Sequence, residues 1–434
     1  MKRRKVDIIS LGCSKNLVDS ERLMKLLTDA GLETRHEPES TSPGDIVVIN
    51  TCGFIGDAKE ESVNTILEYA DLKQRGEIEA LYVMGCLSER YRSELPAEIP
   101  EVDAWFGKTD WNGIVNKLVN KYPATAPYDR VITTPKHHAY LKISEGCNRF
   151  CAFCAIPLIT GRHHSRTPEE IESEVKMLVS RGVKEFNIIA QDLSAYGTDL
   201  SSSGKSGLAD LLKRLSDING VEWLRLHYAY PADFPKEILP VMADRDNICN
   251  YLDIALQHIS DKVLKSMKRK IGKKDTLELL DEIRSGVPGI HLRTTLMTGF
   301  PGEGEKEFEE LLQFVEQQRF ERMGAFAYCE EEGTFAAQNY KDIIPQEVKQ
   351  QRLDAIMELQ QGISEEIQNE KIGSVLKVIV DREEEDCFVG RTQWDSPDVD
   401  PEVIISKDSG IKRGEFCNVK ITKAMPFELI GVKI

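Results

Sequence analysis

The sequence predicts an α/β protein in three parts: an N-terminal doubly wound parallel sheet, a central incomplete barrel of six strand–helix units, and a small C-terminal antiparallel β-barrel. Three observations carry this expectation. From residue 6 onward, short β-branched runs alternate with amphipathic helical patterns, as expected of parallel strands joined by crossover helices. The alternation restarts after a Pro-, Ala- and Thr-containing stretch at 122–138 and repeats six times, two short of a closed eightfold barrel. From Val375 the pattern changes to alternating stretches separated by polar turns, which suits a closed sheet of about sixty residues. The expected division is 1–121, a linker at 122–138, then 139–370 and 371–434.

In the first part, residues 6–11, 46–50 and 81–84 read as strands apolar enough to be buried on both faces. Residues 16–30, closed by Gly31, then 58–72, 88–95 and 111–120 read as helices. After the linker a strand at 140–143 opens the second series, followed by strands at 185–189, 223–227, 252–256, 292–297 and 323–328. Thr167, Pro168 and Glu170 supply the cap, first-turn proline and capping-box acid of a helix over 168–181. A long helical pattern from Pro345 to about residue 370 leads to the last part.

Composition excludes several classes. The chain has 434 residues, 41% hydrophobic and 29% charged, enough for more than one cored domain. No apolar run reaches the roughly 18 residues of a membrane span. The basic start resembles the head of a signal peptide, but Asp7, Gly12 and Cys13 interrupt the apolar run behind it. Ten cysteines without a secretion signal suit a reducing cytosol, where thiols serve metals better than disulfides, so a cytoplasmic location is expected. A formal net charge of −16 disfavours wrapping a polyanion without a local basic patch and favours a basic partner. Acidic runs at 383–386 and 395–400 point the same way; the run at 330–332 reads as a solvated loop.

Two cysteine sets carry chemistry. Residues 144–154, Ser-Glu-Gly-Cys-Asn-Arg-Phe-Cys-Ala-Phe-Cys, place Cys147, Cys151 and Cys154 in a C-x3-C-x2-C array. Three thiolates leave one iron of a four-iron cluster open to a ligand, whereas structural zinc and electron-transfer clusters normally have four protein ligands. A zinc knuckle remains the alternative, with His163 or His164 as fourth ligand. Cys13, Cys52 and Cys86 each stand just past the end of a predicted parallel strand, on the sheet edge where open α/β sheets bind ligands. Gly12, Gly53 and Gly85 beside them let the backbone approach a bulky group. Three equivalent positions favour a second open cluster over buried structural thiols. Cys249, Cys329, Cys387 and Cys417 match no ligand spacing and read as structural.

In the second part, strand ends supply further candidates: Gln191 and Asp192, His227 and Tyr228, Gln257 and His258, and Thr298-Gly-Phe-Pro-Gly-Glu303. Gly299 and Gly302 can bring main-chain groups up to an adenine or carboxylate, and Arg293 can pair with a carboxylate. The plainer readings are core histidines and a simple turn.

The cysteine array, with Phe153 as the aromatic before its third cysteine, resembles the radical S-adenosylmethionine (SAM) superfamily. That resemblance implies a [4Fe-4S] cluster whose open iron chelates SAM and splits it to a 5′-deoxyadenosyl radical, with strand ends holding the cofactor and Gln191 as first choice for its amino group. With the second cysteine set, the chain resembles the methylthiotransferases, which implies two [4Fe-4S] clusters, the auxiliary one on Cys13, Cys52 and Cys86 carrying sulfur. Residues 10–21, Ser-Leu-Gly-Cys-Ser-Lys-Asn-Leu-Val-Asp-Ser-Glu, are similar to the RimO branch, whereas the tRNA-modifying MiaB branch usually has Gln-Met at the position of Ser14-Lys15. Tyr251 to His258 and Cys329 to Thr334 also resemble RimO chains, and the last part resembles a TRAM domain. The RimO resemblance implies methylthiolation of an aspartate β-carbon in small-subunit ribosomal protein S-twelve, with an electron donor and a sulfur donor as further partners and no membrane. The alternatives are a MiaB-like tRNA adenosine methylthiotransferase and a non-catalytic iron–sulfur scaffold or electron carrier; carriers normally saturate their irons.

Overall fold

The computed structural model describes residues 4–38, 42–119, 122–126, 128–407 and 410–434. Strands β1 (Lys5–Ser10), β2 (Glu33–His36), β3 (Ile46–Thr51), β4 (Ala80–Gly85) and β5 (Ala104–Trp105) form one parallel sheet in the order β2-β1-β3-β4-β5. Its strands are buried on both faces because alternate side chains serve different cores. Val6, Ile8, Ile46 and Val48 enter one, with helix Ser14–Asp29; Ile9, Val47, Ile49 and Leu81 enter the other, with helix Gly56–Gln74.

Two edge strands were not predicted. β2 is polar and half-exposed, and β5 has two residues, so neither leaves a hydrophobic run. The helix expected over 88–95 is two pieces, Cys86–Arg90 and Leu95–Glu98. Pro96 stands in the first turn of the second, where its missing N–H costs nothing, but it could not continue a preceding turn. The helix at 111–120 is Trp111–Leu118; Asn120 and Lys121, like Met1 to Arg3, lie outside the described residues.

The central sheet comprises β6 (His138–Lys142), β9 (Glu185–Ile189), β10 (Trp223–Ala229), β11 (Ile248–Ile254), β12 (His291–Thr298) and β13 (Arg322–Ala327), with β7 (Ser144–Glu145) and β8 (His164–Ser165) forming a separate short ladder. The six strands are parallel and neighbour one another in chain order, with β6 and β13 at opposite edges: an incomplete barrel. Helix Pro168–Ser180 begins with the expected capping box, in which Thr167 Oγ1 accepts the Glu170 N–H and Glu170 accepts the Thr167 N–H. The fourth strand begins four residues before its expected start, at Ile248, and ends before Gln257, whose φ of +73° turns the chain.

The 122–138 stretch is more than a tether. His138 already belongs to β6, and Arg130 is buried, donating to Glu21 of the first domain and to Glu174 of the barrel at 2.8 Å. The last domain is a closed five-stranded barrel of β14 (Val375–Glu383), β15 (Cys387–Thr392), β16 (Glu402–Ser406), β17 (Phe416–Met425) and β18 (Glu428–Lys433). One pair, β16 with β18, runs parallel, so the expectation of an all-antiparallel barrel is corrected.

This domain docks against the amino ends of the central strands through Trp223, Tyr251, Ile379 and Phe416. A buried charge chain reinforces the contact: Glu185 pairs with Arg225 and Arg391, Arg391 with Asp381, and Arg322 with Asp395. Much of the 395–400 acidic run is therefore consumed internally, because Asp395 is buried on Arg322 and Asp400 accepts from Tyr251. Glu331 of the 330–332 run is likewise buried, on Lys59 and Arg90 of the first domain. Neither run is simply a solvated loop.

Candidate active site

Cys13, Cys52 and Cys86 follow β1, β3 and β4, three adjacent strands, so their thiols share one sheet edge. The glycines beside them make room for protein rather than for a ligand. A Cβ on Gly12, whose φ is +87°, would lie 2.7 Å from Cys52 Cβ, and one on Gly53 would lie 2.6 Å from the Leu87 nitrogen. Sequence reasoning missed the clamp around them. Buried Asn16 donates to the carbonyls of Leu11 and Thr51, both at 3.0 Å, and accepts from Cys86 Sγ at 3.6 Å; Ser62 Oγ bonds both backbone groups of Cys52. Burial raises the Cys86 thiol to about 12 against the opposing pull of Lys108, and the nearby Cys13 and Cys52 add to the rise. Occupation by a metal as thiolate therefore requires the metal to displace the proton.

Cys147, Cys151 and Cys154 lie in the loop after β7, which the barrel grips from both sides. The Ala152 N–H donates to Met267 O at 2.9 Å, and Ala152 O accepts from Ala336 at 2.7 Å. Cys151 Sγ receives Arg269 Nη1 at 3.4 Å and lies 3.7 Å from Tyr230 Oη, while the Arg149 N–H points at Cys147 Sγ from 3.4 Å. Burial raises Cys147 to about 11 and Cys154 further, with Cys151 adding to both. His163 Nε2 instead sits 3.0 Å from Ser165 Oγ, and the His164 side chain is exposed beside Asp199. Each trio is thus a sulfur-only donor set, which suits iron–sulfur chemistry better than hard cations.

The two trios face one interface. Cys86 packs with Ala155 and Ile159, directly after Cys154. Lys15, two residues past Cys13, holds its ammonium 3.4 Å from the Tyr228 ring centroid near the end of β10. Between them lies a buried charge cluster: Lys108 pairs with Asp19 at 3.3 Å and Glu145 at 2.7 Å, and Lys142 pairs with both acids. Burial would raise the Glu145 carboxyl, but Lys142 and Lys108 outweigh it and hold it well below the usual range. A cavity of about 480 Å³ is lined by Phe54 to Asp57, which follow Cys52, by Phe153, which precedes Cys154, and by Met297 and Tyr328; none of the six cysteines lines it. A second, of about 380 Å³, joins Cys13 to Tyr140 and Asp398.

The other predicted residues divide. Phe153 lines the larger cavity, its ring 6.3 Å from that of Phe300. Gln191 donates to Glu145, and its Oε1 is buried without a hydrogen-bond partner among the described residues. Gly302 is open, with φ +97°. Gly299 is not: a Cβ there would collide with Lys349, and Glu303 takes its N–H, together with His258 and Arg352. Arg293 sits at the third position of β12, below the carboxyl edge, 3.9 Å from Asp400, so a protein carboxylate already faces it. His227 is a satisfied core histidine 3.3 Å from Asn187, as is His258 on Glu303.

Residues 141–315 match the radical SAM superfamily model, 5–107 the uncharacterized protein family UPF0004, and 372–434 the TRAM domain. Proteins named ribosomal protein uS12 methylthiotransferase RimO, from Bacteroides thetaiotaomicron and Porphyromonas gingivalis, are each 58% identical to this chain. They align over 430 and 431 residues, 99% of this chain and 98% and 99% of theirs. The chain belongs to the RimO family of methylthiotransferases. A more distant RimO, from Cytophaga hutchinsonii, is 49% identical over 99% of this chain and 98% of its own. Among solved structures, the radical SAM methyltransferase TsrM of Kitasatospora setae aligns with a TM-score of 0.54 at 13% identity over 77% of each chain. The cobalamin-dependent radical enzyme OxsB aligns at 0.51 and 12% identity over 83% of this chain and 56% of its own. These two show likeness of fold. As a RimO-family member, the chain is a SAM-dependent radical transferase, and its superfamily implies a [4Fe-4S] cluster and SAM. Among the described residues, no helix is long and apolar enough to cross a membrane.

Proposed function

We propose that this RimO-family chain adds a methylthio group to the β-carbon of an aspartate in small-subunit ribosomal protein S-twelve, the uS12 named in its relatives. The observation that carries the reading is 58% identity over 99% of the chain to uS12 methylthiotransferases, in a molecule whose two cysteine trios front one interface. Cys147, Cys151 and Cys154 would hold one [4Fe-4S] cluster and Cys13, Cys52 and Cys86 a second, each three-thiol set leaving an iron open. When bound, these groups supply a carbon-centred radical from SAM and a methylated sulfur. An aliphatic C–H has no accessible pKa, so acid–base residues alone could not open it. The chain's own residues position and shield. Phe153 offers an apolar wall, and the free Gln191 Oε1 is an acceptor for the SAM ammonium, held in place by Glu145. The Lys108–Glu145–Lys142–Asp19 cluster fixes the sheet edge against the barrel, so that radical and sulfur can meet at one substrate carbon. Gly302 remains a main-chain approach to the cofactor; Gly299 and Arg293, engaged by Lys349 and Asp400, are left out.

The reading includes domains at 1–121, 139–370 and 371–434 around the 122–138 connector, a cytoplasmic location, an electron donor and a sulfur donor. Mass spectrometry of cells with and without the gene tests the substrate. Replacing hydrogen by a methylthio group adds about 46 Da, a difference traceable to cofactor-derived chemistry. Loss of that mass from uS12 on deletion is expected; its loss from a tRNA nucleoside with uS12 unchanged would overturn the assignment in favour of MiaB-like activity.

A further inference from the structure

A shallow groove of about 620 Å³ lies over the outside of the Cys147–Cys154 loop, lined by Arg149, Phe150, Asp261, Lys265 and the run Lys268 to Gly272. No residue of the N-terminal domain lines it, so it is separate from the interface that the two trios share. Its charge contrasts with the chain's formal −16. Lys265, Lys268 and Lys270 are exposed and have no carboxylate partner among the described residues; Lys268 lies over the Phe335 ring at 3.0 Å. The groove's single acid, Asp261, already accepts the Lys273 N–H at 2.7 Å. Arg149 is met by both Asp192 and Asp233, and Asp261 keeps its negative charge, so the cationic excess of the groove rests on the three lysines and Arg269 set against that one acid.

The groove also backs onto a cysteine through one of its lining side chains. Arg269 reaches Cys151 Sγ at 3.4 Å, and Phe150, the residue before Cys151, is 52% exposed and held at φ +51°, unusual for a large side chain. We propose that this groove docks an acidic one-electron carrier protein, which delivers its electron to the group held by Cys147, Cys151 and Cys154. In that step the reduced carrier loses one electron and the barrel's cluster gains it; no bond forms and no proton moves. The proposal rests on that trio holding a reducible cluster. Two acidic proteins repel at long range, so a local basic face with an exposed aromatic is the approach that charge permits. A nucleic acid would also be drawn to lysines, but would gain nothing from a groove backing onto a cysteine ligand outside the substrate interface.

The test uses anaerobically reconstituted holoenzyme, an acidic plant-type [2Fe-2S] ferredoxin as carrier and an RNA hairpin as competitor. Charge reversal at K265E, K268E and K270E together is compared with K213E, K306E and K423E, exposed lysines elsewhere. The groove variant should bind ferredoxin about tenfold more weakly, and wild-type binding should weaken with salt. SAM cleavage driven by reduced ferredoxin should fall by a similar factor in that variant, while cleavage driven by dithionite stays unchanged. The control triple should match wild type in every assay. Equal ferredoxin affinity in the groove variant, or loss of hairpin binding with ferredoxin binding intact, would overturn the proposal. Wild-type holoenzyme unable to cleave SAM even with dithionite would overturn the cluster reading beneath it.

Discussion

At Gly12 a methyl group would lie 2.7 Å from Cys52 Cβ, in a backbone already at φ +87°. Gly12→Ala is expected to cost about 1–3 kcal/mol through that strain. It should lower the iron held after reconstitution while leaving the barrel trio's share intact, and unchanged iron with an unchanged melting temperature would contradict this. The six cysteines were legible in the sequence because their signals are local: a C-x3-C-x2-C spacing and a cysteine after each of three strands. Asn16 was not, since its partners Leu11, Thr51 and Cys86 meet only once β1, β3 and β4 lie side by side. The partners of Gly299 and Arg293 were hidden from the sequence for the same reason. A strand-end glycine and a strand arginine look available until Lys349 and Asp400 arrive from other parts of the chain.

Among the elements, the 122–138 connector shows how a polar stretch can carry structure. Arg130→Ala would leave Glu21 and Glu174 buried without their cation, at an expected cost of about 3–5 kcal/mol. Urea unfolding checks this, and a loss below about 1 kcal/mol, typical of exposed pairs, would contradict it. The docking of the last domain should depend on acid. Burial would raise Glu185, but Arg391 and Arg225 outweigh it and hold its carboxyl at about 2, below the ordinary 4.5. A depressed carboxylate stabilises above its unfolded pKa, so its contribution is full above about pH 4.5 and is lost as pH falls towards 2. Hydrogen exchange in β14 and β15 should speed up across that window. Glu185→Gln should be destabilised at neutral pH and show a smaller change across the same window; an identical acid response would contradict this role. Alternation made the parallel strands legible, whereas β2, β5 and the parallel β16–β18 pair carry no such pattern because edge strands and closure register are set by neighbours.

For the whole molecule, the sequence supported three domains and one functional edge, but not how the domains lock together. Lys108, Glu145, Lys142 and Asp19 are distributed between the sheet domain and the barrel, and no spacing announces their contact. The acidic runs also read differently once folded. With Asp395 and Asp400 committed to internal partners, attraction of a basic substrate rests on the net charge of −16 and on the exposed 383–386 run rather than on 395–400. The central claim is two separate four-iron clusters held by two three-cysteine sets across one interface. Iron quantification with Mössbauer spectroscopy on reconstituted protein tests it most directly. Wild type should carry about eight irons as two four-iron clusters, and the C147A/C151A/C154A and C13A/C52A/C86A variants about four each. Only the second variant should retain SAM cleavage. Full iron content in C13A/C52A/C86A would contradict the account.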